Sequence, residues 1–242
     1  MIPDATRLFA ALDATWPPAR FVTEGPWTLR EGKGGGQRVS AATANSPVSE
    51  TDIDRAEAGM TALGQTPLFM IRDRDADLDA WLNARGYVVV DPVVIYAAPV
   101  SALADPQPMT AIVPTWPMLA IQRDLWQSAG IGPGRFAVME RAATPRTALL
   151  ARHRDTPAGV AFLAADGEIA MIHALEVVPS ERRSGVAGRA MRAAAHWAAA
   201  NGADWLALAV TRANEGANAL YRHLGMTPAA TYHYRRAPEI QA

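Results

Sequence analysis

Three apolar runs follow one another with no helical pattern between them: RTALLARHR (146–154), PAGVAFLAADG (157–167) and EIAMIHALEVVP (168–179). Each is short, aliphatic and bounded by turn residues, the pattern of consecutive strands. The third ends in Pro179 and gives way to SERRSGVAGRAM (180–191), which carries three arginines, two serines and two glycines. A helical spacing then takes over. Ala187, Ala190, Met191, Ala194 and Trp197 recur three and four residues apart, and Asn201-Gly202 ends the run. DWLALAV reads as one more strand, EGANALYRHLG as a short helix closed by Gly225, and TYHYRRA as a last strand. This order confines the chain to the α/β class, with helices that bury one face against a sheet.

The turn at 180–191 admits two readings. Many strand-to-helix turns carry a glycine and do nothing further. A helix amino terminus, however, offers unpaired N–H groups and the positive end of the helix dipole. Glycine lets the backbone approach a phosphate closely, and arginines add charge-assisted bonds. Arg182-Arg183-Ser184-Gly185-Val186-Ala187-Gly188 is therefore chemically suited to a pyrophosphate.

Composition narrows the partners. The chain has 242 residues, half of them hydrophobic, with a net charge of −1 and no cysteine. It is long enough for one large domain or two small ones. The charge balance gives no support to nucleic acid or a membrane surface as the main partner. Without cysteine there are no disulfides, thiolate nucleophiles or cysteine-ligated zinc, which fits a reducing compartment. His153, His196, His223 and His233 have no metal-ligand spacing, so no metal is expected. The start of the chain lacks the basic and apolar regions of a signal peptide, and no apolar run reaches the ~18 residues of a membrane span. The expectation is a cytoplasmic protein.

The first hundred residues alternate short elements. Leu8, Phe9, Leu12 and Trp16 have helical spacing, stopped by Pro17 and Pro18. WTLRE (27–31) and RVSAATA (38–44) suggest a hairpin with GKGGG (32–36) as a flexible tip, since neither Ser/Thr nor a helix follows Lys33 to make a phosphate loop. A helix at 49–64, a strand at 67–73, a helix at 75–86 and a strand at 87–100 come next, then a linker at 101–108. TWPMLAIQRDLWQSAG (115–130) reads as a helix with Pro117 in its first turn. The segments 68–87 and 206–226 echo each other as strand, polar loop, short helix and glycine, with Trp81 on Leu220 and Leu82 on Tyr221.

Arg182, Gly185 and Ala187 fit the pattern of arginine or glutamine, two residues, glycine, one residue, glycine or alanine. ALEVVP stands before it, where the GNAT acetyltransferases have a Leu-x-Val-x-Pro strand end. After it, the segment from Asn214 through Ala217, Leu220, Tyr221 and Gly225 to Met226 resembles their Asn-x-x-Ala-x-x-Leu-Tyr-x-x-x-Gly-Phe. Met226 replaces the usual aromatic. With all three in order, the span from about 107 to 236 resembles the GNAT N-acetyltransferase superfamily. The first half is similar in layout to the degenerate half of tandem members. The resemblance implies a degenerate domain at 1–102 and a catalytic domain at 107–242.

It also implies a mixed, largely antiparallel sheet with helices on both faces and two central strands that splay around acyl-CoA. The backbone of Leu175, Glu176 and Val177 would pair with the pantetheine arm. Arg182, Arg183, Ser184, Gly185, Val186, Ala187 and Gly188 would hold the pyrophosphate, and Asn214 and Asn218 would meet the far side of CoA. The implied activity is direct acetyl transfer from acetyl-CoA to the amine of a small-molecule or amino-acid-like acceptor in a ternary complex. The oligomeric state stays open. The rival is a non-catalytic acyl-CoA-binding module whose first half meets a partner.

Acyl transfer to an amine needs a neutral nucleophile and a proton for the leaving thiolate. Relatives often use a tyrosine at the position of Tyr221 for that proton; the alternative is a packed tyrosine. Met171, His173 and Leu175 share one face by strand alternation. Met171 stands where some relatives have a glutamate base, and His173 where arylalkylamine acetyltransferases carry a histidine. His173 is thus a base or a hydrogen-bonded core residue. Glu176 is a third option, but it faces the other way unless a bulge intervenes. Trp116, Arg123, Trp126 and Arg135 lie on the segment that walls the acceptor pocket in relatives, where they would suit a carboxylate-bearing substrate; the tryptophans are otherwise helix core.

Overall fold

The computed structural model describes residues 1–104 and 112–238. The first half runs α1 (Ala5–Thr15), β1 (Arg20–Glu24), β2 (Trp27–Glu31), β3 (Thr43–Ala44), α2 (Glu50–Ala62), β4 (Leu68–Arg72), α3 (Ala76–Ala84), β5 (Val88–Pro99) and α4 (Val100–Leu103). The second runs β6 (Ile112–Thr115), α5 (Ala120–Ser128), α6 (Pro133–Arg141), β7 (Arg146–His153), β8 (Thr156–Asp166), β9 (Ile169–Val177), α7 (Val186–Ala200), β10 (Trp205–Thr211), α8 (Glu215–His223) and β11 (Thr227–Arg236).

Eight strands form one sheet in the order β4-β11-β5-β10-β9-β8-β7-β6. Every pairing in it is antiparallel except β9 with β10. The mixed, antiparallel-dominated sheet expected of the chain is the one it has. Strands of both halves contribute to it, because β5 lies between β10 and β11 and pairs with each. A small sheet, β1-β2-β3, continues from the β4 edge through a bridge between Ala42 and Phe69.

Helices cover both faces. On one face α7 buries Met191, Ala194, Ala195 and Ala198 against Leu163, Ala170, Ile172 and Leu206. On the other, α1 sets Leu8 and Leu12 against Met70, Ile95, Met171 and Ala207. Each fully buried leucine contributes roughly 2 kcal/mol. The Asp4 carboxylate caps α1 by accepting the Arg7 N–H at 2.8 Å. Arg7 then ties that helix to the β8–β9 turn, reaching Asp166 at 2.6 Å and Glu168 at 2.8 Å. The amino-terminal helix is thereby fixed over the centre of the sheet.

Four local expectations are corrected. The partner of β2 in its hairpin is β1, not residues 38–44, of which only Thr43–Ala44 is strand. The glycine run 32–36 is not a free hairpin tip. It packs against the start of α6, where a Cβ on Gly35 would come within 2.6 Å of Val138 and one on Gly134 would strike the Gly34 carbonyl. The helix expected at 115–130 is shorter, and a second helix, α6, follows it with Pro133 in its first turn. The linker expected at 101–108 begins as α4, and its last residues, 105–108, lie outside the described residues.

Candidate active site

β9 and β10 pair only where Ile169, Ala170 and Met171 face Trp205, Leu206 and Ala207. Beyond that point β9 stays with β8, while residues 208–211 of β10 stay with β5. A cleft opens between them, and the β9 edge facing it has no strand partner among the described residues.

A bulge sets which side chains enter this cleft. Val160 faces Glu176 and Phe162 faces His173, so three steps of β9 span two of β8. Ala174 takes the extra place at φ +48°, and its carbonyl accepts from Trp126 Nε1 at 2.8 Å. An extra residue reverses the alternation. Leu175 and Val177 join the core on the α7 side, and Glu176 comes to the face that carries His173. The expectation that Leu175 shares that face is corrected: strict alternation fails at Ala174.

On the α7 side the cleft is a cavity of about 570 Å³, lined by the β9 end and by Arg182, Arg183, Gly185, Val186, Ala187 and Gly188. Gly185 precedes α7 at φ +81°, a conformation suited to glycine, and no side chain caps the helix. Its first N–H groups are left for a ligand. A Cβ on Gly188 would have only Leu220 near it, at 3.9 Å, so this position is open. Ser184 turns back, giving its hydroxyl proton to the Glu181 carbonyl at 2.5 Å.

Asn214 caps α8, accepting from the Ala217 N–H at 3.1 Å, and borders the cleft. Asn218 does not. It is buried, donates to the carbonyls of Thr211 and Asn214, and accepts from the Tyr96 hydroxyl. All of its polar atoms serve the fold, so a contact with CoA expected of Asn218 is not what this geometry offers.

On the α1 side lies a second cavity of about 480 Å³, and the two share Leu175, Glu176, Asn214 and Tyr221. Tyr221 is 7% exposed. Burial, reinforced by the nearby Glu176 carboxylate, pushes its hydroxyl up to about 12. Burial also raises the Glu176 carboxyl above its ordinary value of 4.5, against the pull of Arg182 and Arg135. A protonated phenol and a carboxylate of enhanced basicity therefore meet where the cavities join.

The first half supplies much of the second cavity: Trp16, Gln37, Arg38 and Asp91 line it with Arg135, Tyr232 and Tyr234. Nothing in the local pattern of residues 32–38 points there. His173, 5% exposed, lies at its floor beside Trp16 and Phe162. Nδ1 is 3.2 Å from the Arg38 guanidinium, which can only donate, so Nδ1 accepts. The Thr15 hydroxyl gives its proton to the Ala11 carbonyl at 2.6 Å, so at 2.9 Å it accepts from His173 Nε2. Both ring nitrogens are engaged. Burial and then the Arg38 charge hold the ring well below its ordinary 6.5. The lone pair a base would need is already taken.

Of the four acceptor-wall residues expected from sequence, only Arg135 lines the cavity. Trp126 is core and holds the bulge, Trp116 packs between Phe162 and the Arg146 guanidinium, and Arg123 pairs with Glu140 at 3.2 Å. Among the described residues no group of three His, Cys, Asp or Glu side chains could hold a metal ion, and no helix is long and apolar enough to cross a membrane.

A mixed sheet whose central strands part beside a glycine-rich helix start is the GNAT fold, and structural comparison agrees. A GCN5-related N-acetyltransferase from Kribbella flavida superposes with a TM-score of 0.73 at 21% identity, covering 99% of this chain and 98% of that one. A GNAT-family protein from Novosphingobium aromaticivorans, described as a putative acetyltransferase, gives 0.57 at 18% identity, covering 90% and 91%. A tandem GNAT protein from the clavulanic acid biosynthesis pathway gives 0.54 at 13%, covering 83% and 76%. No curated protein matches in sequence. Residues 115–226 match the model of the Acetyltransferase (GNAT) family, so this span is a GNAT acetyltransferase domain. Such a domain implies acyl transfer that depends on an acyl-CoA donor.

Proposed function

We propose that the protein is a cytoplasmic N-acetyltransferase that moves the acetyl group of acetyl-CoA directly to the amine of a small acceptor. The observation that carries this reading is the junction of two cavities at Glu176 and Tyr221, one lined by an uncapped glycine-rich helix start and the other by polar side chains. The donor fits the first cavity. The N–H groups at 183–188 and the arginines Arg182 and Arg183 suit its pyrophosphate, and the open β9 edge at Leu175, Glu176 and Val177 suits its amide-bearing arm. Acetyl-CoA supplies the thioester; the remaining chemistry is proton handling by this chain.

Glu176 takes a proton from the acceptor ammonium, directly or through water, so that the neutral amine can attack. Tyr221 keeps its proton at neutral pH and donates it toward the sulfur as the carbon–sulfur bond breaks. We assign His173 to positioning, because its lone pair is committed to Arg38. We read Asn218 as a strut between β10 and α8. We further read residues 1–102 as a half with no CoA site of its own, since the pattern of Arg182, Gly185 and Ala187 has no counterpart in its sequence.

The test is thermal stabilisation by CoA together with thiol release from acetyl-CoA across amines and amino acids. Stabilisation without release for any acceptor would leave the acyl-CoA-binding module as the better reading. Absence of stabilisation would reject both.

A further inference from the structure

We propose that the acceptor carries a carboxylate as well as its amine, and that Arg38 and Arg135 hold this carboxylate beside the Tyr232 hydroxyl. The inference rests on the reading of the cleft as an acyl-transfer site and names the class of acceptor it takes.

Arg38 and Arg135 line one cavity, and among the described residues no carboxylate comes within 4.0 Å of either. Several arginines that tie this fold together are matched by acids: Arg30 by Asp13, Arg72 by Asp75, Arg85 by Asp54 and Arg235 by Asp79. For Arg38, whose Nε is shut off from solvent, a charge held without a counter-charge is costly, and an anionic ligand lowers that cost where a neutral one cannot.

The hydrogen-bond pattern is also incomplete on this wall. Arg38 uses Nη1 on His173, while its Nε is enclosed without a partner. The Tyr232 hydroxyl, in a residue 3% exposed, lies close to Arg38 and Tyr234 but makes no hydrogen bond of good geometry with either. Burial keeps the neighbouring Tyr234 hydroxyl protonated, well above its ordinary 10. These donors suit the two oxygens of a carboxylate. Gln37 Oε1, also enclosed and unpartnered, can accept from the acceptor's own N–H groups.

The backbone is built to bring the two arginines together. Gly34 and Gly134 touch main chain to main chain, and a Cβ on Gly36 would lie 3.5 Å from Arg135 Nε. His173 and Thr15 brace Arg38 from behind. The same cavity holds Glu176 and Tyr221, with Glu176 near enough to feel the Arg135 charge. An amino acid or similar acceptor can therefore place its carboxylate on the arginines and its amine toward the carboxylate base.

The experiment compares matched acceptors in thiol release: amino acids, their carboxamides and their decarboxylated amines. The expected result is a kcat/KM at least about tenfold higher for the acid form. Arg38→Gln and Arg135→Gln should each shrink that preference, chiefly through the KM of the acid, while CoA still raises the melting temperature. Arg135 is exposed and its side chain has no hydrogen bond or ion pair among the described residues, so its variant separates recognition from folding. Equal or better use of carboxamides or amines overturns the proposal, as does a preference that survives both substitutions. If CoA binds but no acceptor is turned over, the proposed activity fails separately. The carboxylate inference is then read from the CoA-loaded protein with N-acetyl amino acids and their carboxamides. Stabilisation by the acids alone supports it, and no difference overturns it.

Discussion

The Arg38 guanidinium donates to Nδ1 of His173 at 3.2 Å, joining residues 135 apart in sequence across the floor of the cleft. Protonating the imidazole would break this bond and set two cations against each other. The folded ring therefore stays neutral below 6.5, where the unfolded chain takes up a proton. Its contribution to stability is complete above pH 6.5 and is lost as pH falls below that value, by up to about 1.4 kcal/mol per unit. Urea unfolding of the parent at pH 7.5 and 5.5 should show this loss, and His173→Gln should reduce it. An identical pH response in both proteins would sink the neutral-histidine assignment.

Glu176 and Tyr221 should separate from His173 in kinetics. Glu176→Gln removes the base, so kcat should fall roughly 10²–10⁴-fold with CoA binding retained. Burial raises its carboxyl above 4.5, so the acidic limb of kcat/KM in the parent should lie above that value and disappear in the variant. Tyr221→Phe should lower kcat roughly ten- to a thousandfold with little change in the KM for acetyl-CoA. Unchanged kcat in either variant returns that residue to packing.

The phosphate-binding assignment has a clean test at Gly188. Gly185 is a poor site, because its φ of +81° strains any side chain and confuses folding with binding. Gly188 has ordinary helical geometry and open space, and it lines the donor cavity. Gly188→Glu should keep the parental melting temperature within a few degrees and abolish the shift caused by CoA. A parental shift with CoA would mean that the pyrophosphate lies elsewhere.

The donor side was legible because its determinants are local. Pro179, the arginines, Gly185 and the alanine-rich face of α7 lie in one continuous stretch, and so do the Asn214 cap and Tyr221 on α8. The acceptor side was not, because its determinants are contacts between distant segments. The bulge that turns Glu176 inward is carried by an alanine and supported by Trp126, 48 residues away. Strict alternation therefore placed Glu176 on the wrong face. The run GKGGG gave the signal of a flexible turn, yet its glycines serve close packing against Gly134 and Val138. The strand β1 escaped notice because it is short and largely exposed, so no clear apolar alternation marks it. β5 was readable as a strand, but its place between β10 and β11 depends on pairings that no local pattern encodes.

The glycine contact between the two loops leads to the last prediction. A methyl group on Gly134 would strike the Gly34 carbonyl, which is backbone and cannot rotate away. Gly134→Ala must therefore push the 32–36 loop from α6, at a cost of roughly 1–3 kcal/mol for overpacking. Arg38 and Arg135 stand on opposite sides of this contact, so their spacing across the cavity should change with it. The KM for a carboxylate-bearing acceptor should rise severalfold while CoA stabilises the variant as it does the parent. Gly132→Ala is the control, since a Cβ there meets nothing within 4 Å and the residue needs no left-handed geometry. Glycine is a better N-cap than alanine, so this replacement should cost about 0.5–1 kcal/mol but leave the KM alone. Equal effects from both substitutions would show that loss of a glycine, rather than the Gly34 contact, is what matters.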